Sequence, residues 1–584
     1  MKKYTILLLS AFLLFNFNIA NGSENLNITE EIENAKLESM SSRYLGYLYT
    51  SFPEEGTKRG LRDSSEKLND RTLDSDKKRL NNLEAFLESL ETINYENLSA
   101  EKKVEYNIIK QKAQLAIFTI NKQQNLKKNP YIYISAVDSI YDLYMDRGLT
   151  ERNRAKGANA RIKQLPETLE LAKENLYKPS HFLTSITIQK AKKAYNSMDE
   201  LEPFLRKYEL DDYSKEEVVL NLQETKKQIE NFRTFLSKDI LVKPDTDYRL
   251  GEQDFMSLIE LKYHTDIEQK KLAKLLESYY FETKENLLAN IRIMLDIKDE
   301  APASLTNLKE AKKVAINYPK NDEIIPTYVR IYKEALNHFK SLNILPPVKQ
   351  NIKIEKPPIY YTNAKNPVFY FKPFEFYNIG DIVLYLSLPE SFKNEENKLL
   401  AKEKFSYSNI KVMVAKYMVP GTHLKNSYGS KANLRKMSEA ETMLNGWQLY
   451  ALHLAGEFNF TNLKTEKFFL SLEQYTIATK ALTSFKLHTK EFNSKDAIGL
   501  LQSATVSKSQ AMYYLQDIAI NPVKDVSFVL GYEDILNARA EYEEKFGTLL
   551  KFHEQLLGLD NIPTSYLDSE LERIYKEEKK NRKN

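Results

Sequence analysis

Val218, Leu222, Thr225, Ile229, Phe232 and Leu236 follow one another in alternating steps of four and three. Such steps return to one side of a helix with 3.6 residues per turn, so the six positions form a single stripe that must be buried. Leu272, Leu276, Tyr279 and Leu287 form a second stripe. Each is preceded by a capping-box pattern, Ser214-x-x-Glu217 and Thr265-x-x-Glu268, in which a hydroxyl and a carboxylate would each satisfy an otherwise unpaired amide. This helical character extends from Ile32 to about Leu342, without internal repeats or low-complexity tracts. Only 16 glycines occur in 584 residues, which suits long helices better than a turn-rich β protein. The expected fold is mainly α.

The N-terminus reads as a targeting segment outside the fold. Lys2-Lys3 is followed by an apolar run from Ile6 to Phe15, and Ala20-Asn21-Gly22 fits a cleavage site before Ser23. The run is shorter than the roughly 20 residues a membrane-spanning helix needs. The chain has no cysteine, hence no disulfide and no thiol for lipid attachment after the signal. An exported protein with no stable membrane anchor after cleavage is expected, in the periplasm or outside the cell. The 85 basic and 81 acidic side chains leave a net charge of +4, which argues against a nucleic-acid partner. The Lys-rich end, Lys576 to Asn584, reads as a solvated, frayed terminus.

Between Leu345 and Pro389 the pattern changes to a period of two, punctuated by Pro346-Pro347 and Pro357-Pro358. Ile359–Tyr361, Val368–Phe371 and Ile382–Leu386 read as three β-strands. Helical character resumes after about Ser408 and breaks at Pro420-Gly421, because proline has no amide to donate and its ring clashes with the carbonyl of Lys416. Ser438-x-x-Glu441 marks the start of the next helix. Seven histidines are present, at 181, 264, 338, 423, 453, 488 and 553, and no two stand three to five residues apart. His-Glu-x-x-His, which presents two zinc ligands on one helix face, is absent.

The stretch Lys416-Tyr417-Met418-Val419-Pro420-Gly421-Thr422-His423-Leu424-Lys425, with Asn445-Gly446-Trp447-Gln448-Leu449-Tyr450-Ala451-Leu452, resembles the signature of the bacterial domain-of-unknown-function 885 family. That family resembles helical zinc peptidases of the gluzincin type. Its pattern is His-Glu-x-x-Pro-Gly-His-His-x-Gln, then Glu-Gly-Trp-Ala-Leu-Tyr-Ala-Glu. Pro420, Gly421, Gly446, Trp447, Leu449, Tyr450 and Ala451 are kept. Lys416, Tyr417, Thr422, Asn445 and Leu452 stand where the pattern has chemical groups, and of these only His423 is retained. Asp247-Tyr248-Arg249-Leu250-Gly251-Glu252 resembles a recurring Arg-Leu-Gly-Glu, and Leu487 to Phe492, with His488 and Thr489, resembles a further family segment. Asn521-Pro522, Ser527 to Tyr532, Arg539 and Phe546 to Pro563 continue the likeness.

The resemblance implies a zincin-like cleft with a small β-sheet before the motif helix, one strand of which would align a substrate backbone. The layout it implies is a signal peptide at 1–22, a helical region at 23–342, a sheet segment at 343–406 and a helical region at 407–584, with 23–584 one continuous unit. On a straight helix positions 416 and 423 share a face but lie about 10 Å apart, so the Pro-Gly break would bring such positions together in zinc-binding relatives. His423 and His488 are expected to approach across the cleft floor, with Asn445 nearby. Lysine at 416 places an ammonium where a ligand should be, and Tyr417 is a poor base at neutral pH. The expected function is a catalytically degenerate zinc-peptidase relative with no cofactor, retaining a cleft for a peptide or a protein partner. His423 is the candidate metal ligand under the alternative, an active metal-dependent peptidase with a rearranged zinc site. A second alternative is a structural helical protein. His453 and Glu457, four apart, read as a surface ion pair.

Overall fold

A computed structural model describes residues 4–59, 61–209, 211–298, 303–372, 380–428, 440–505, 507–559 and 561–581, with side chains from residue 28 onward except at 545 and 546. The fold is mainly helical with one small sheet among the described residues. The elements used below are α1 (Tyr4–Ser51), α2 (Leu73–Leu90), α3 (Ala100–Phe118), α4 (Glu151–Asn175), α5 (Asp212–Phe235), α6 (Glu252–Tyr263) and α7 (Gln269–Met294). They are followed by β1 (Ile352–Glu355), β2 (Val368–Phe371) and β3 (Ile382–Leu386). The C-terminal helices are α8 (Tyr407–Tyr417), α9 (Thr422–Ser427), α10 (Glu441–Glu457), α11 (Lys464–His488) and α12 (Val526–Phe546). No helix among the described residues is long and apolar enough to cross a membrane.

Every residue of both predicted stripes is buried, the first between α5 and α4 and the second where α7 packs along α11. The caps differ from the expected ones. Helix α5 begins three residues earlier than the Ser214 pattern implies, because Asp211 caps it by accepting from the Ser214 amide at 2.8 Å. Helix α7 begins at Gln269 after an uncapped Glu268, so the Thr265 pattern is not used. Ser438, Lys2 and Lys3 lie outside the described residues. The basic tail, expected to fray, is helical from Leu567 to Asn581.

The sheet has the order β1-β3-β2, with β1 parallel and β2 antiparallel to β3. Strand β3 is buried along its whole length, consistent with a central position. Ile359–Tyr361 is a 3₁₀ turn, not the expected strand. The Ile359 and Tyr360 amides donate to Glu200 and the Tyr361 amide to the Pro358 carbonyl, while the Tyr360 and Tyr361 hydroxyls donate to Asp138 and Asp142 at 2.8 Å. The third strand is Ile352–Glu355, where Ile352 and Ile354 alternate with Lys353 and Glu355.

The main core gathers residues of α3, α6, α7 and the C-terminal helices, and α4 and α5 pack in a second core. Within the main core α10 and α12 cross at two glycines. A Cβ on Gly531 would lie 1.9 Å from the Thr442 carbonyl oxygen, and one on Gly446 would lie 2.4 Å from the backbone of Gly531. Helices that approach this closely exclude any side chain at the crossing.

Candidate functional site

Helix α8 ends where Pro420 forbids its continuation, and α9 starts at Thr422. Gly421 is needed between them, since a Cβ there would stand 1.9 Å from the Lys416 carbonyl oxygen. The turn is tied to α10 by Trp447, whose indole N–H donates to the carbonyls of Pro420 at 2.9 Å and Gly421 at 3.2 Å. Thr422 donates to the Lys416 carbonyl and accepts from Gln448 Nε2 at 2.7 Å. The retained Pro-Gly and Gly-Trp residues are thus parts of one knot that joins α8, α9 and α10.

Beside this knot lies a cavity of about 270 Å³. Lys416 and Tyr417 from α8 and Asn445 and Gln448 from α10 line it, so three motif positions do meet at one place. Helix α11 contributes Glu473 and Lys480, and Asp517, Lys524 and Asp525 come from the segment before α12. Lys416 Nζ lies 2.8 Å from Glu473 Oε1, and Lys404 approaches the same carboxylate at 3.3 Å. Lys480 pairs with Asp525 at 2.6 Å, and Lys524 with Asp517 at 3.3 Å. Burial would raise the Glu473 carboxyl, but the ammonium groups of Lys404 and Lys416 outweigh it and hold the acid well below the usual carboxylate range. Burial likewise opposes the Lys416 charge, and Glu473 overcomes it, raising Lys416 above its ordinary value. Both are therefore ionised at neutral pH. Asn445 donates to Ser527 Oγ at 2.8 Å.

This set does not suit a zinc ion. A metal takes a lone pair, and the ammonium of Lys416 has none to offer. The nearest carboxylate, Glu473, is already shared by two cations. Among the described residues no group of three or more His, Asp or Glu side chains is placed to hold a metal.

The remaining predicted residues lie outside the cavity lining. His423 is fully buried and donates from Nε2 to the Gln350 carbonyl at 2.9 Å, with the Tyr370 hydroxyl 3.5 Å from Nδ1. Burial lowers its pKa to about 4, so the ring is neutral. Leu452 is buried on α10 in the main core. His488 sits between Phe255, the Leu250 amide 3.4 Å from Nδ1 and the Ile518 carbonyl 3.2 Å from Nε2. The His488 backbone carbonyl also accepts from Gly251, and Arg249 donates to the Phe492 carbonyl at 2.8 Å. The Arg-Leu-Gly-Glu segment and the Leu487–Phe492 segment are therefore one structural clasp. Gly251 has φ +90, a conformation that glycine alone adopts readily. Glu457 is held bidentately by Arg539 at 2.7 and 2.8 Å, with His453 only 3.5 Å away as a secondary partner.

Sequence reasoning missed Glu473 and Lys480. The available signal was their setting: α11 is buried nearly all round, yet carries these two charges seven residues apart and hence on one side.

Residues 53–571 match the family model described as "Bacterial protein of unknown function (DUF885)". The chain belongs to the DUF885 family. No curated protein matches this DUF885 chain. Among solved structures it is similar to "a putative lipoprotein of unknown function" from Shewanella oneidensis, at 15% identity and a TM-score of 0.75. That match covers 91% of this chain and 99% of the other. It is also similar to a "putative lipoprotein" from Colwellia psychrerythraea, at 13% identity and a TM-score of 0.75, covering 92% and 99%. At such identities the likeness is one of fold.

Proposed function

We propose that this DUF885 protein is an exported, non-hydrolytic relative of zinc peptidases that holds a peptide-like ligand in the cavity beside the Pro-Gly knot. The observation that carries this reading is the Lys416–Glu473 ion pair, 2.8 Å long, at the position where the family resemblance calls for a metal ligand. Five lysines line the cavity, Lys365, Lys404, Lys416, Lys480 and Lys524, against three acids, Glu473, Asp517 and Asp525. Lys365 has no carboxylate partner among the described residues, so the cavity carries a surplus of positive charge that suits the terminal carboxylate of a peptide. Tyr513, Tyr514 and Phe528 supply aromatic surface for the neighbouring side chain.

Export follows from the charged and apolar segments before Ser23. The two similar structures are titled lipoproteins, whereas this chain has no cysteine to carry a thiol-linked lipid. It is therefore expected to be free of the membrane after cleavage.

Calorimetric titration with short peptides tests the reading. Peptides with a free C-terminus are expected to bind at least about tenfold more tightly than their C-terminal amides, with the difference lost in Lys365→Met. Equal affinity for the two forms, or no binding of either, would contradict it.

A further inference from the structure

A smaller space of about 40 Å³ adjoins the cavity of the proposed peptide site. Lys365, Lys404, Thr476 and Tyr514 line both. Helix α11 forms the common wall, with Leu472 and Thr476 along the small space and Glu473, Thr476 and Lys480 along the large one. Lys365 therefore borders both spaces, and it is the lining lysine with no carboxylate partner among the described residues.

The polar side chains that the small space adds are engaged with their own surroundings. Lys312 Nζ lies 3.4 Å from Glu403 Oε2 and 3.3 Å from the Thr505 carbonyl oxygen. Gln510 donates from Nε2 to the Lys365 carbonyl at 2.9 Å. The Thr505 hydroxyl donates to the Ser507 carbonyl at 3.0 Å, and that of Thr476 to the Leu472 carbonyl at 2.7 Å. The surface left uncommitted is apolar, from Ala364, Leu400, Leu472 and Ala504. A volume of about 40 Å³ is little more than the roughly 30 Å³ that one water takes in the liquid. A methyl group fits there, and a branched or aromatic side chain does not.

We infer that the ligand of the peptide site ends in alanine, with its terminal carboxylate at Lys365 and its methyl group in the small space. The inference rests on the peptide reading above and adds the identity of the last residue. A carboxylate and a side chain leave the same carbon atom, so an anion held by Lys365 sets the side chain at the entrance to the small space. The residue before it then faces Tyr513, Tyr514 and Phe528 in the larger cavity. Glycine would leave the small space unfilled, and valine would overpack it.

Calorimetric titration of the full mature protein with N-acetylated tripeptides of free C-terminus, ending in glycine, alanine, valine or phenylalanine, tests this. The alanine peptide is expected to bind about fourfold more tightly than the glycine one, the effect of burying one methyl group. It should bind at least about tenfold more tightly than the valine and phenylalanine peptides. Leu400→Ala widens the small space and is expected to improve the valine peptide about tenfold. Ala504→Leu fills it and should bring the alanine peptide down to the glycine one or below. Circular dichroism and thermal unfolding check that both variants fold; Leu400 is only half-buried, so its variant decides alone if Ala504→Leu does not fold. Equal affinity for glycine and alanine, tighter binding of a larger last residue, or no gain for valine in folded Leu400→Ala would overturn the inference and leave the peptide reading in place. Binding of none of the four peptides would overturn both.

Discussion

At the residue scale, the replaced motif positions are occupied by groups that satisfy one another. Glu473 is the centre of this arrangement, since Lys416 and Lys404 both depend on it. Removing one member of a buried pair leaves an uncompensated charge and costs about 3–5 kcal/mol, whereas apolar replacement of the whole pair is often close to neutral. Glu473→Leu is therefore expected to destabilise the protein by about 3 kcal/mol, and Lys416→Met by less, because Glu473 keeps Lys404. The double variant should be more stable than Glu473→Leu alone. Urea unfolding of the four proteins measures the coupling, and strictly additive losses would show that the pair is not coupled. The sequence identified Lys416, Tyr417 and Asn445 as neighbours through the resemblance, and all three line the cavity. It could not place Glu473, which is remote in sequence and matches no motif. His488 was misplaced for a related reason: its family segment is kept, but it serves a clasp to Leu250 and Ile518, which spacing alone does not reveal.

At the element scale, periodicity was legible and termini were not. The four-three stripes depend on burial, which a helix enforces over many residues. A cap depends on one hydrogen bond, and Asp211 took the role that the Ser214 pattern suggested. The Ile359 segment has strand-like residues, but Glu200 takes the Ile359 and Tyr360 amides and leaves them unavailable to a ladder. The Pro420 break was legible because the missing amide is a property of the residue itself. The packing role of Gly446 and Gly531 became clear only once α10 and α12 were seen to cross there. Gly531→Ala is expected to lower stability by about 1–3 kcal/mol or more, since its Cβ would overlap the Thr442 carbonyl. Gly499→Ala is the control. It lies within the Ser494–Thr505 helix with nothing within 4 Å of the added Cβ, and should stabilise by roughly 0.5–1 kcal/mol. Thermal unfolding reads both signs, and an unaffected Gly531→Ala would refute the close crossing.

At the scale of the whole molecule, the core that runs from α3 to the C-terminal helices keeps several histidines neutral. Burial lowers His423, His488 and His553 from the ordinary 6.5 to about 4. Between those values the unfolded chain binds more protons than the folded one, so stability rises with pH and is lost as pH falls from about 6.5 toward 4. Each histidine contributes at most roughly 3 kcal/mol to that loss. Asp534, pushed up to about 6 by burial, opposes the trend, as do Asp76 and Asp142, which burial also raises. The urea midpoint should therefore be clearly lower at pH 5 than at pH 7, and an equal or higher midpoint at pH 5 would contradict this assignment. The proposed non-hydrolytic function rests on the cavity where α8, α10 and α11 meet. An ammonium paired with a carboxylate there, beside a phenol and an amide, gives no zinc-bound water to act as a nucleophile. The most direct measurement is mass spectrometry of a mixed peptide library incubated with the mature protein and added zinc, with and without a chelator. An unchanged library is expected in both; peptide cleavage that the chelator abolishes would contradict the proposed non-hydrolytic function.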